Sequence, residues 1–133
     1  MIKVFEWGNK LNVVDDRNNF VGFDLSDDCC ARGGYFISDH VHDNEEDFEV
    51  LDQQSKPSVL PENNEYYFNE TFFRKIQDQG DGIAVVFELV YGCKHNEGVP
   101  EMPTLYLHLF NCHNGYYAKG FKCAFREIQE GEL

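Results

Sequence analysis

Cations are scarce in this chain: 11 Lys plus Arg stand against 24 Asp plus Glu, a formal charge of −13 over 133 residues. Each phosphate that a nucleic-acid binder grips needs local positive charge, and so does an anionic lipid surface, so direct binding to either is disfavoured. No apolar run approaches the roughly 18 residues a membrane-spanning helix needs. The opening Met1-Ile2-Lys3-Val4-Phe5-Glu6-Trp7-Gly8 lacks the apolar stretch of a secretory leader. Five cysteines are an odd number, and Cys29 and Cys30 are adjacent, a poor basis for a disulfide framework. Reduced thiols in a cytoplasmic setting are the expectation. Catalytic signatures are missing as well. There is no G-x-S-x-G, and Gly33-Gly34 is not followed by the Lys-Ser/Thr of a phosphate loop. Cys112 and His113 are neighbours in sequence, and on a strand such neighbours point to opposite faces. No enzyme activity and no cofactor are expected.

What the chain does have is core material. It is 42% hydrophobic and 15% aromatic, too rich in core formers to stay disordered despite its charge. Its length suits a single domain over residues 1–133. The pattern reads as mainly β: an antiparallel β-sandwich or a strongly curved sheet with little helix. Residues 2–7 alternate as a first strand. Residues 11–14 and 20–25 flank Asp15-Asp16-Arg17-Asn18-Asn19, a polar hairpin loop. Residues 34–37 form a short apolar run. Residues 82–91 are apolar on both faces except for Glu88, the mark of a central strand.

Residues 105–125 carry the strongest local turn signal. Asn114-Gly115 is the dipeptide that a two-residue type I′ turn favours, and it predicts a hairpin pairing His108 with Phe121 and Tyr106 with Cys123. Tyr106, His108, Phe110 and Cys112 would share one face and Leu105, Leu107 and Leu109 the other. His108 then reads as a hydrogen-bonded core residue, and Cys112 and Cys123 as inert core cysteines. Residues 65–76 fit either a strand (Tyr66, Phe68, Phe72, Arg74, Ile76) or a helical stripe, and their aromatic content favours strand. Residues 52–64, with Pro57 and Pro61, read as a surface loop. The terminal residues 127–133 are expected to be frayed or briefly helical.

Charge is unevenly distributed. Residues 39–52 hold seven acids and no Lys or Arg, and extending to Glu70 brings the total to ten acids against Lys56 alone. The segment can be a solvated loop that keeps an aromatic-rich chain in solution, or a face for a cationic partner. Within it, His40-Val41-His42 puts two imidazoles on one side of an extended chain. Gly34, His40, His42 and Glu46 resemble the first metal-binding motif of cupins, which implies His40, His42 and Glu46 as metal ligands of a cupin-like enzyme. That resemblance ends within about a dozen residues. Gln53 stands where the family has glycine, and the pattern of the second motif is missing around His108. Two solvated histidines in an acidic run account for the same residues.

In size, charge and expected compartment the chain resembles the immunity proteins of bacterial contact-dependent inhibition and other polymorphic toxin systems. Asp28-Cys29-Cys30 and Asn114-Gly115-Tyr116-Tyr117 are also similar to an uncharacterised bacterial and phage domain family, which implies no activity. The immunity resemblance implies a cationic protein partner, a toxin nuclease whose basic cleft an acidic face would fill. Asp39, Asp43, Glu45, Glu46, Asp47 and Glu49 are the candidate carboxylates, and Tyr66, Tyr67 and Tyr116 the candidate anchors, with Tyr117 divided between anchor and core. An acidic DNA mimic of a phage is the other binding alternative.

Overall fold

A computed structural model describes residues 1–25, 31–41, 60, 64–77, 82–92, 103–113, 120–124 and 128–132. They contain ten strands and no helix: β1 (Lys3–Trp7), β2 (Lys10–Val14), β3 (Phe20–Asp24), β4 (Ala31–Ser38), β5 (Tyr66–Phe68), β6 (Arg74–Gln77), β7 (Gly82–Tyr91), β8 (Leu105–His113), β9 (Gly120–Ala124) and β10 (Ile128–Glu132). A first sheet runs β1-β2-β3-β9-β10, and a second runs β4-β8-β7-β5 with β6 also on β7. Every pairing is antiparallel. The fold is mainly β as expected, and of the two architectures expected it is the one with two antiparallel sheets.

Period-two alternation decides which side chains meet between the layers. Leu11, Val13, Val21, Phe23 and Cys123 of the first sheet pack in one cluster with Ile37, Val85, Phe87, Leu89, Leu107 and Leu109 of the second. Phe36, Ile76, Ala84, Val86 and Phe110 form another cluster on the far side of the second sheet, with Val41, Phe72 and Tyr106 against it. The second sheet is therefore buried on both faces. That is why β7 and β8 are apolar at nearly every position. The outward face of the first sheet is open: Lys3, Phe5, Trp7, Lys10, Asn12 and Lys122 are all exposed.

Two expectations fail. The 105–125 hairpin does not form, because β8 and β9 belong to different sheets. His108 stands opposite Phe36 and Val86, and Phe121 opposite Phe23 and Gly131. With two apolar faces, β8 is an interior strand whose edges go to β4 and β7, leaving none for β9. Asn114-Gly115 lies outside the described residues. The C-terminal stretch is also not frayed: β10 pairs along the whole of β9. Its sequence has little strand propensity, and the free edge of β9 supplies its order.

The ambiguous 65–76 segment is strand, in two pieces laid along one edge of β7. Phe68 faces Leu89 and Arg74 faces Val86, so residues 69–73 stand opposite only Phe87 and Glu88. The excess of three residues is odd, so it exchanges the faces. Tyr66 and Phe68 point to the core between the sheets, whereas Ile76 packs in the far cluster with Phe72. The five alternate residues therefore do not share one face. Asn69 holds the detour: its Oδ1 accepts from Thr71 N at 3.1 Å and its Nδ2 donates to Glu88 Oε1 at 2.9 Å.

Polar side chains join the layers at one end. Asp15 is buried, and its carboxylate accepts four hydrogen bonds. Oδ1 takes Arg17 N (2.8 Å) and Asn19 N (2.9 Å), and Oδ2 takes Asn19 Nδ2 and Phe68 N (both 3.0 Å). Three of these shape the β2–β3 loop. The fourth binds that loop to β5 of the opposite sheet. Asn64, also buried, does the same for the start of β1: Ile2 N donates to its Oδ1 (2.7 Å) and its Nδ2 donates to Ile2 O (3.1 Å). Replacing Asp15 by Ala leaves buried N–H groups of Asn19 and Phe68 without an acceptor. Asp15→Ala is expected to lower the unfolding free energy by about 3 kcal/mol, measured as a shift in urea midpoint with unchanged slope.

Candidate partner-binding surface

The Asp15–Phe68 bond brings the β2–β3 loop against the segment that enters β5, and an open cleft of about 470 Å³ lies between them. Asp16, Arg17, Asn64, Glu65, Tyr67 and Gly92 contribute to its walls. The Arg17 guanidinium lies 3.6 Å from the centre of the Tyr67 ring, a cation–π contact. Asp16 pairs with the Met1 ammonium at 2.5 Å, and that hydrogen bond holds its carboxyl below the usual carboxylate range. Glu65 and Glu70 are exposed beside the loop, Glu70 Oε1 lying 3.5 Å from Asn19 Nδ2.

Gly92 makes the Tyr67 placement possible. Its N–H donates to Glu65 O at 2.8 Å, and an added Cβ would lie 2.8 Å from two carbons of the Tyr67 ring and 3.0 Å from Glu65 O. A methyl there must displace the ring, and with it the Arg17 stack. Gly92→Ala is expected to cost about 1–3 kcal/mol and to free the Tyr67 ring, seen as loss of the Arg17–Tyr67 nuclear Overhauser contact.

The candidate residues fare differently. Asp39 is exposed, with Oδ1 2.8 Å from His40 Nδ1. Asp43, Glu45, Glu46, Asp47, Glu49 and Tyr116 lie outside the described residues, as do His42 and Tyr117. Of the cupin-like ligand set, only His40 is therefore placed, and it is exposed. Tyr66 must be withdrawn as an anchor. It is 1% exposed, packs edge-on against Tyr91, and donates its hydroxyl to Pro103 O at 2.7 Å. Tyr67, one residue on, points the other way and stays half-buried at the cleft. His108 is the core residue expected: fully buried, stacked on Phe36 at 4.3 Å, with Nδ1 3.1 Å from Tyr106 O. Cys123 is buried and forms no disulfide. Among the described residues no three His, Cys, Asp or Glu side chains converge as a metal site would require.

Sequence reasoning passed over the cleft, because Arg17 and Tyr67 meet only through the joining of the two sheets. It also passed over the exposed pair Phe5 and Trp7, which the alternation of residues 2–7 had already placed on one face. No family model matches the chain, nor does any curated protein or solved structure.

A third tie between the sheets has a pH signature. Tyr35 on β4 donates its hydroxyl to Glu6 Oε1 on β1 at 2.5 Å. Partial burial first, and then the Glu6 carboxylate, push the Tyr35 hydroxyl well above its ordinary value. A group raised in the native state stabilises the fold fully below its unfolded value, about pH 10 for tyrosine. That contribution fades as pH climbs toward the higher native value. Melting temperature is therefore expected to fall above about pH 10 less steeply in Tyr35→Phe than in the parent chain, measured by thermal melts across an alkaline series.

Proposed function

We propose that this protein is an inhibitor of the immunity type, which neutralises a basic toxin domain, a nuclease, by covering its cationic cleft with an acidic surface. The observation that carries the reading is the concentration of ten acids at residues 39–70 against Lys56 alone. Glu65 and Glu70 add two exposed carboxylates beside the cleft, where the exposed Arg17 lies over the Tyr67 ring. A surface of this sign attracts a cationic partner at long range, accelerating encounter to about 10⁸–10⁹ M⁻¹s⁻¹ at low salt. Asp39, Asp43, Glu45, Glu46, Asp47 and Glu49 act as salt-bridging or phosphate-mimicking carboxylates. Tyr67 and Tyr116 supply aromatic contact area. The site of action is the cytoplasm of the cell that makes the toxin.

The test uses the C-terminal domain of a toxin encoded beside this chain. Reversing Glu45, Glu46 and Asp47 to Lys is expected to slow association about tenfold to a hundredfold at low salt, with the difference shrinking as salt rises. Stopped-flow binding measures it. Unchanged rate and affinity would remove the acidic-face reading. Displacement of DNA from several unrelated basic proteins would mark a DNA mimic instead.

A further inference from the structure

β1 is the outer strand of the first sheet, and all five of its residues are exposed. Phe5 is 53% and Trp7 84% accessible. The direction of its backbone groups follows from its neighbours. Leu25 N donates to Asn9 O at 2.7 Å and Asp15 N to Asn19 O at 3.0 Å, so the odd-numbered residues along β2 bond to β3. That leaves Lys10, Asn12 and Val14 to bond to their opposites on β1, which are Trp7, Phe5 and Lys3. Gly8, at φ 59°, agrees: it opens the two-residue turn of a type II′ hairpin, whose flanking pair Trp7 and Lys10 is hydrogen-bonded. Ile2, Val4 and Glu6 consequently turn their N–H and C=O groups away from the sheet. The side-chain amide of Asn64 takes those of Ile2. Among the described residues none takes those of Val4 and Glu6.

We propose that this edge pairs with the same edge of a second copy of the chain, antiparallel, about a two-fold axis through Phe5. The registers are not equivalent. Centring on Val4 sets Ile2 opposite Glu6, and the Ile2 groups are already engaged by Asn64. Centring on Glu6 sets two carboxylates directly across from one another, an unfavourable cross-strand pair. Centring on Phe5 sets Val4 opposite Glu6 twice, which uses all four outward groups of each strand in four N–H···O bonds. It stacks Phe5 on Phe5 at the axis and brings Lys3 of each copy across from Trp7 of the other, a cation facing an aromatic ring. The Glu6 carboxylates stay on the opposite face, each accepting from Tyr35 of its own chain. The contact is isologous, so it closes at two copies and joins two five-stranded sheets into one.

Five residues of edge bury less than the roughly 1,200 Å² of a tight complex, so the dimer belongs in the micromolar to millimolar range. Each copy carries −13, and salt that screens this repulsion strengthens the pairing. Binding of a cationic partner to the acidic surface has the opposite salt dependence, so either proposal can fail without the other.

Sedimentation equilibrium from micromolar to millimolar chain, at low and high salt, tests the pairing. Fluorescence of Trp7, the single tryptophan, follows in parallel. The expected result is a dimer that grows with concentration and with salt, with Trp7 emission shifting to the blue. Val4→Pro removes an outward donor without touching the bonds to β2, a position where an edge strand tolerates proline. It is expected to raise the dissociation constant about tenfold or more while the far-ultraviolet circular dichroism is unchanged. Phe5→Lys, which sets like charges on the axis, gives the same result by a route that leaves the backbone alone. A parent chain still monomeric at millimolar concentration in high salt would overturn the proposal. So would folded Val4→Pro or Phe5→Lys chains that dimerise as the parent does.

Discussion

A carboxylate taken out of water must find its hydrogen bonds inside the protein, and Asp15 finds four within one loop and one facing strand. Apolar packing alone would let two sheets slide over one another, since the hydrophobic effect has no direction. Directional bonds from Asp15 to Phe68, and from Asn64 to Ile2, fix how the β2–β3 loop and the start of β1 meet the edge of the second sheet. The cleft, the stack of Arg17 on Tyr67 and the exposure of Glu65 and Glu70 all follow from that register. Tyr35 and Glu6 add a further tie between the layers.

The two layers divide the labour of the molecule. The second sheet is sealed on both faces and carries the largest buried rings among the described residues, Tyr66, Phe36, Phe68, Phe87 and Phe110. The first sheet seals one face and leaves lysines and two large aromatic residues on the other. Three of the chain's 11 cations, Lys3, Lys10 and Lys122, are exposed on that open face, away from the acid-rich residues 39–70 in sequence. Asp24 reaches Lys10 there at 3.7 Å and Glu130 is the register partner of Lys122, so the lysines of this face stand among acids, and its exposed Phe5 and Trp7 are what set it apart.

How much of this was legible depended on whether the information was local. The 82–91 run announced a central strand because burial on both faces leaves no position for a polar residue, Glu88 apart. The β2–β3 hairpin was legible because its polar loop and alternating arms lie together in sequence. The partnership of β8 was not, since the Asn114-Gly115 signal carries no information about β4 and β7, which take both edges. β10 was invisible for the converse reason: its pairing comes from β9. At the candidate site, both Tyr66 and Tyr67 read as anchors, although strand neighbours point to opposite faces, and only the packing of the two sheets assigns Tyr66 to the core. Asp39, Glu65 and Glu70 are exposed and Tyr67 is half-buried, whereas Asp43, Glu45, Glu46, Asp47 and Glu49 lie outside the described residues.

The detour at residues 69–73 places β5 against one core and β6 against the other because its excess over Phe87 and Glu88 is an odd number. The face of Ile76 is set by the pairing of β6 with β7, in which it stands opposite Ala84. A slip of β6 by one residue along β7 would turn Ile76 from the far cluster toward the space between the sheets, and Arg74 and Lys75 about with it, whereas a slip of two would keep every side chain on its present side. The apolar demand of the far cluster on Ile76 is thus what holds β6 in register, and the turn before it is left to bridge whatever gap remains.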